Sequence, residues 1–116
     1  MSEEACLFCR IVAGEIPADV VLETEDVLAF RDIAPKAPTH VLVIPKAHLV
    51  SLGDASDDDH ALLGAVMIAA RDVAASEGLL EDGFRTVLNS GRDGGQEVLH
   101  LHAHVLGGRS LTWPPG

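Results

Sequence analysis

The run His100-Leu101-His102-Ala103-His104-Val105-Leu106 constrains this chain more than any other stretch. A period of two is the pattern of a β-strand, whose successive side chains point to opposite faces. On a strand, all three histidines face one side, and Leu101, Ala103 and Val105 face the other. Three of the six histidines of the chain lie within these five residues. Imidazole changes charge near neutral pH, so such a face suits acid–base, nucleophilic or metal chemistry. A metal-binding ridge is a rival reading, because neutral imidazole is a common ligand. A plain polar outer face is the third.

The rest of the sequence supplies a small α+β frame around that strand. Leu7 to Ala13 reads as a short helix ended by Gly14. Val20–Leu22 and Val27–Arg31 read as strands around the acidic turn Glu23–Asp26. His40–Ile44 is an apolar β-branched run closed by Pro45. One long helix is predicted near Ser56 to Glu77. Ser56 is its N-cap, Asp59 completes an approximate capping box and Gly78 is the C-cap. Leu63, Val66, Met67, Ala70, Val73 and Ala74 form its apolar face. Phe84–Asn89 and Leu99–Leu106 are the last two strands. The order is not a repeated βα alternation, so about five strands in a mainly antiparallel sheet, with one long and one short helix, is the expected architecture.

Length and charge bound the function. A chain of 116 residues suits one domain over residues 1–116. Eighteen acidic against eight basic residues give a formal charge of −10, which counts against nucleic-acid binding and against an anionic membrane surface. No apolar run reaches the roughly 20 residues of a membrane helix. The start, MSEEACLFCR, is acidic and lacks a secretory pattern, so a cytoplasmic location is expected.

Two further features carry chemistry. Asn89-Ser90-Gly91-Arg92-Asp93-Gly94-Gly95-Gln96-Glu97 lies upstream of the histidines. Gly94 and Gly95 can adopt positive φ and offer bare backbone N–H groups to an anion such as phosphate. A simple glycine-rich turn is the alternative. Cys6 and Cys9 form C-x-x-C, a spacing that pinches zinc. Free thiols and a redox pair are its alternatives, the last without a thioredoxin-like βαβ pattern around it.

Gln96 to Gly108, QEVLHLHAHVLGG, resembles the signature of the histidine triad (HIT) family. The likeness runs along almost the whole chain. Cys6-Leu7-Phe8-Cys9, Gly14-Glu15-Ile16-Pro17, Leu28 to Ile33, Ala37-Pro38-Thr39-His40 and Ile44-Pro45-Lys46-Ala47-His48 are similar to blocks of its Hint branch, as is the tail Gly107-Gly108-Arg109 with Trp113-Pro114-Pro115-Gly116.

The resemblance implies a homodimeric purine nucleoside phosphoramidase with the sheet continued across the dimer. The substrate is then a purine nucleoside phosphoramidate or related nucleotide. His102 matches the nucleophile that forms a covalent nucleotidyl-histidine. His104 matches the residue that contacts the phosphate. His40 matches a more distant histidine that orients the others, and His100 completes the catalytic set. Asp32 matches the carboxylate that holds the ribose. Phe8, Phe30 and Ile33 match the walls around the purine. Asn89, Gly95 and Gln96 match the phosphate edge. Glu97 stands where animal members have serine and resembles bacterial members. A carboxylate repels phosphate and instead favours a cationic leaving amine. Trp113 matches a tail residue that reaches toward the partner subunit's site. Some members complete a structural zinc site from C-x-x-C and two histidines, which by position are His48 and His100. A nucleotide-binding regulatory protein with incidental catalysis and a dinucleoside polyphosphate hydrolase are the competing functions. His60 is expected on a solvated surface.

Overall fold

The structure, a computed structural model, describes residues 5–116, and the acidic start over residues 1–4 lies outside the described residues. Strands β1 (Val20–Glu23), β2 (Val27–Arg31), β3 (Thr39–Pro45), β4 (Phe84–Val87) and β5 (Ala103–Gly107) form one sheet in the order β1-β2-β3-β5-β4. Every neighbouring pair is antiparallel. With the short helix α1 (Leu7–Val12) and the long helix α2 (His60–Ser76), this is the expected α+β architecture.

β2 and β3 lie at the centre and are buried on both faces, so they read as nearly continuous apolar runs. On one face Val27, Ala29, Val41, Val43, Leu101, Ala103 and Val105 pack against Val66, Ala69, Ala70, Val73 and Ala74 of α2. On the other, Leu28, Phe30, Leu42 and Ile44 pack against Cys6 and Phe8. Each fully buried valine or isoleucine contributes about 1.5–3 kcal/mol over its exposed state. The two faces divide the work. One holds the long helix, and the other holds α1 and the histidines.

Ser56 caps as expected. Its Oγ accepts from Asp58 N–H at 3.3 Å, and Asp59 Oδ2 accepts from Ser56 N–H at 2.9 Å. The first turn, Asp57–Asp59, is 3-10, so α2 proper starts at His60. Its end is a Schellman turn, in which Gly78 takes φ +74° and Leu79 N–H reaches Ala74 O at 2.9 Å.

Three expectations need correction. Met67 is 43% exposed and Leu63 only partly buried, because α2 turns its small residues Ala69, Ala70 and Ala74 to the sheet. The predicted strand Leu99–Leu106 is hydrogen-bonded only over Ala103–Gly107. Its partner β3 ends at Pro45, which has no N–H to give the Leu101 carbonyl, and Leu101 N–H donates to Leu49 O at 2.7 Å. The predicted strand Phe84–Asn89 stops at Val87, opposite His104 and near the end of that ladder. Among the described residues, no helix is long and apolar enough to cross a membrane.

Candidate active site and metal centre

Alternation continues through the part of the histidine run that leaves the ladder. Leu101, Ala103 and Val105 face α2. His102 and His104 face a cleft of about 510 Å³ on the other side, together with Phe8, Asp32, Lys36, His40, Asn89, Gly95 and Glu97. A second, largely apolar cavity of about 370 Å³ adjoins it. Phe8, Asp32 and Leu42 line both.

Hydrogen bonds fix the proton on each imidazole. His102 Nδ1 lies 2.7 Å from His100 O. A carbonyl only accepts, so Nδ1 carries the hydrogen and the neutral ring has its lone pair on Nε2. Phe8 packs edge-on against this ring at a centroid distance of 5.2 Å. His40 is set from the other side, where the backbone N–H of Lys36 donates to His40 Nδ1 at 3.0 Å. The proton of neutral His40 is therefore on Nε2, which donates to His104 Nδ1 at 2.9 Å. His104 in turn keeps its proton on Nε2, a buried atom with no hydrogen-bond partner among the described residues.

Both rings are held neutral. Burial lowers the pKa of His40 from its ordinary value, Asp32 opposes that shift, and the Lys36 charge adds to it. Burial, then the neighbouring His102 and His40, pushes His104 down to about 4. Asp32 Oδ2 stands 3.5 Å from His40 Nε2, while Oδ1 accepts from Ala34 N–H at 2.8 Å. Asp32, His40 and His104 cluster closely enough to resemble a metal site. The Lys36 amide argues against that use, because a metal on His40 Nε2 would strip the ring of its only proton. The cluster is better suited to presenting one N–H into the cleft.

The remaining site residues divide by position. Phe30 and Ile33 line the apolar cavity, Ile33 fully exposed to it and to solvent. Asn89, Gly95 and Glu97 line the histidine cleft. Gln96 is turned away from both cavities. Its Nε2 donates to Val50 O at 2.6 Å and Val98 O at 3.1 Å, and its Oε1 accepts from Gly91 N–H at 2.9 Å. Of the expected pair, Gly95 takes φ +82° but its N–H donates to Arg92 O, while Gly94 does not take positive φ. Trp113 is 81% exposed and lines neither cavity, whereas Pro115 of the same tail lines the histidine cleft. His60 is exposed, as expected, with Nδ1 against Asp57 O. Lys36 escaped the sequence reading because its main-chain N–H does the orienting, and side-chain type gives no signal of that.

The other side of His100 builds a second centre. Its Nε2–H donates to Pro45 O at 2.8 Å, which leaves Nδ1 as a lone pair. That Nδ1 lies 3.4 Å from Cys6 Sγ, 3.5 Å from Cys9 Sγ and 3.2 Å from His48 Nδ1. Cys9 Sγ and His48 Nδ1 are 3.2 Å apart. Tetrahedral zinc, with Zn–S about 2.3 Å and Zn–N about 2.0–2.1 Å, sets ligand atoms about 3.3–3.8 Å apart. The four atoms, all within 4.8 Å of one another, fit a closed S₂N₂ site.

Comparison with known proteins follows from this geometry. The family model described as HIT domain matches residues 13–111. A HIT-like protein of Synechococcus elongatus is 54% identical over 116 residues, covering 100% of both chains. A HIT family hydrolase from Legionella pneumophila superposes with a TM-score of 0.94 at 57% identity, covering 96% of this chain and 99% of that one. A Zn-bound histidine triad family protein from Mycobacterium smegmatis superposes with a TM-score of 0.77 at 38% identity, covering 93% of this chain and 78% of that one.

Proposed function

The chain belongs to the HIT domain family, and from that premise we propose that it is a purine nucleoside phosphoramidase. It hydrolyses the P–N bond of adenosine or guanosine 5′-phosphoramidates through a covalent nucleotidyl-histidine. The broader reading, a hydrolase, has the support of the Legionella HIT family hydrolase. The narrower one rests chiefly on one observation. The bond from His102 Nδ1–H to His100 O leaves a bare Nε2 in the cleft beside the unpartnered N–H of His104.

The steps follow from those atoms. His102 Nε2 attacks phosphorus, and the His100 carbonyl stabilises the positive charge that the ring acquires. His104 Nε2–H, held in place by His40, donates to a phosphoryl oxygen as charge develops there. The P–N electron pair goes to nitrogen, which takes a proton from the medium and departs as the amine. Water then cleaves the Nε2–P bond, releasing nucleoside monophosphate and returning that proton. Asp32, lining both cavities, accepts from the ribose hydroxyls, and Phe8, Phe30 and Ile33 wall the purine.

Cys6, Cys9, His48 and His100 hold the zinc of this proposal. Bound there, the ion is structural and ties α1 to the segment carrying His100 and His102. The working form is a cytoplasmic homodimer of one HIT domain per chain. Its support is the half-exposed Met67 and Ile68 on α2 and the free edges of β1 and β4.

The test is hydrolysis of an adenosine 5′-phosphoramidate carrying a fluorescent amine. Wild type releases the amine, and His102→Ala abolishes release while AMP still binds. A folded wild type that binds AMP and releases nothing would replace the enzyme with a nucleotide-binding module.

A further inference from the structure

Glu97 has a carboxylate in the histidine cleft and no hydrogen bond or ion pair among the described residues. Its position is built rather than incidental. The preceding Gln96 side chain is clamped by three hydrogen bonds to Val50, Val98 and Gly91 backbone atoms. The loop packs so closely that a Cβ on Gly94 would stand 2.7 Å from Ser90 O. A rigid loop therefore holds one free negative charge in a cleft whose reacting groups must accept an anionic phosphoryl group.

The cleft has a second free charge. The Lys36 side chain makes no ion pair among the described residues, and its ammonium acts on His40. Lys36 belongs to the segment between β2 and β3, and Glu97 to the loop after β4. The cleft is thus bipolar, with its positive group at the His40–His104 end and its negative group on the glycine loop. Such a cleft fits a substrate that is bipolar itself. We propose that Glu97 selects the leaving group, and that the preferred substrates are nucleoside phosphoramidates whose amine carries a second, positively charged nitrogen. This rests on the phosphoramidase reading above. Glu97 contacts the departing group and takes no part in the proton or phosphoryl steps.

The experiment compares two adenosine 5′-phosphoramidates of equal chain length, one ending in a primary ammonium and the other in a methyl group. The quantity read is the ratio of their kcat/KM values within each protein, so that any general effect of a substitution cancels. Wild type favours the cationic substrate about fivefold at low salt, the scale of one exposed ion pair. The preference fades as salt is raised. Glu97→Gln brings the ratio to about one, and Glu97→Lys inverts it. A wild-type ratio near one overturns the inference but leaves the phosphoramidase standing. If Glu97→Gln slows both substrates equally and nucleotidyl-His102 accumulates, Glu97 activates water instead, and the inference is overturned. A protein that binds AMP yet cleaves neither substrate refutes the phosphoramidase reading and this inference together.

Discussion

Replacing His40 by phenylalanine tests the proton arrangement of the site. His40 touches no substrate in the proposed mechanism. It receives the Lys36 N–H at 3.0 Å and passes its own Nε2–H to His104 Nδ1 at 2.9 Å. That bond keeps the His104 proton on Nε2, where it faces the phosphoryl oxygen. A preorganised donor at developing negative charge is worth about 10²–10³ in kcat, or about 2.7–4 kcal/mol. His40 acts through His104, so the expected loss in His40→Phe is at the lower end, about 10²-fold. KM should change little, because phenylalanine keeps the bulk of the ring at the His40 part of the cleft wall. His40→Gln restores an N–H donor toward His104 and should recover about tenfold of that loss. The assay is steady-state release of AMP beside ¹⁵N shifts of the imidazoles, which report the tautomer directly. Thermal unfolding of each variant separates a packing fault from a proton fault, since His40 is buried. The reasoning is refuted if wild-type His104 carries its proton on Nδ1, or if His40→Phe keeps kcat within twofold of wild type.

Further outcomes follow from the same geometry. Folded His104 has a pKa of about 4 against an ordinary 6.5, so the unfolded chain takes up a proton between those values that the folded chain refuses. Stability should therefore fall as pH drops from about 6.5 to about 4. The full shift is worth about 3 kcal/mol and partial solvent access leaves about 1–2 kcal/mol, read as the difference between wild type and His104→Gln in urea at pH 7 and pH 4.5. Zinc should bind at about one ion per chain and raise Tm by about 10–20 °C at a thousandfold excess over Kd. Metal content unaffected by Cys6→Ser would remove Cys6 from the site. Gly94→Ala drives a Cβ against the Ser90 backbone and should cost about 1–3 kcal/mol in urea unfolding. Deleting residues 111–116 removes Pro115 from the cleft. It should alter discrimination among amine leaving groups more than AMP affinity, and equal loss across all amines would contradict that.

Much of this was legible in the residues, for reasons that differ by element. Ser56 announced the 3-10 turn that leads into α2 and Gly78 announced the end of α2, because caps are local chemistry. The C-x-x-C pair and the histidine alternation pointed to the Cys6, Cys9, His48 and His100 cluster and to the cleft lined by His102 and His104, because such chemistry needs particular side chains. Less was legible where tertiary packing decided. Met67 matched the helical period as well as Ala69 does, but only small residues let α2 approach the sheet. Gln96 looked like a phosphate ligand by its type and place. It is consumed in holding its own loop, a use that appears only when Val50 arrives from elsewhere in the chain. The Gly95 half of the expected anion nest was lost for a related reason, since the turn spends that N–H on Arg92 O.

Pro45 explains how two centres can share one short run of histidines. Carried past Ala103, the register would set His102 opposite Ile44, Leu101 opposite Pro45 and His100 beyond the end of β3. Pro45 has no N–H to offer the Leu101 carbonyl there, and the pairing of β5 with β3 begins at Ala103. His100 lies outside it, and its carbonyl accepts the His102 Nδ1–H at 2.7 Å. The Pro45 carbonyl meanwhile takes the His100 Nε2–H at 2.8 Å and turns Nδ1 toward the two cysteines and His48. The Pro45 carbonyl thus orients the His100 ring, while the His100 carbonyl sets the tautomer of His102. The side-chain alternation that places His102 and His104 in the cleft survives, because it needs extended backbone and not the ladder. The two centres are therefore joined through a single residue. A disturbance that rotates the His100 ring out of the cysteine cluster must also move the carbonyl that fixes the tautomer of His102.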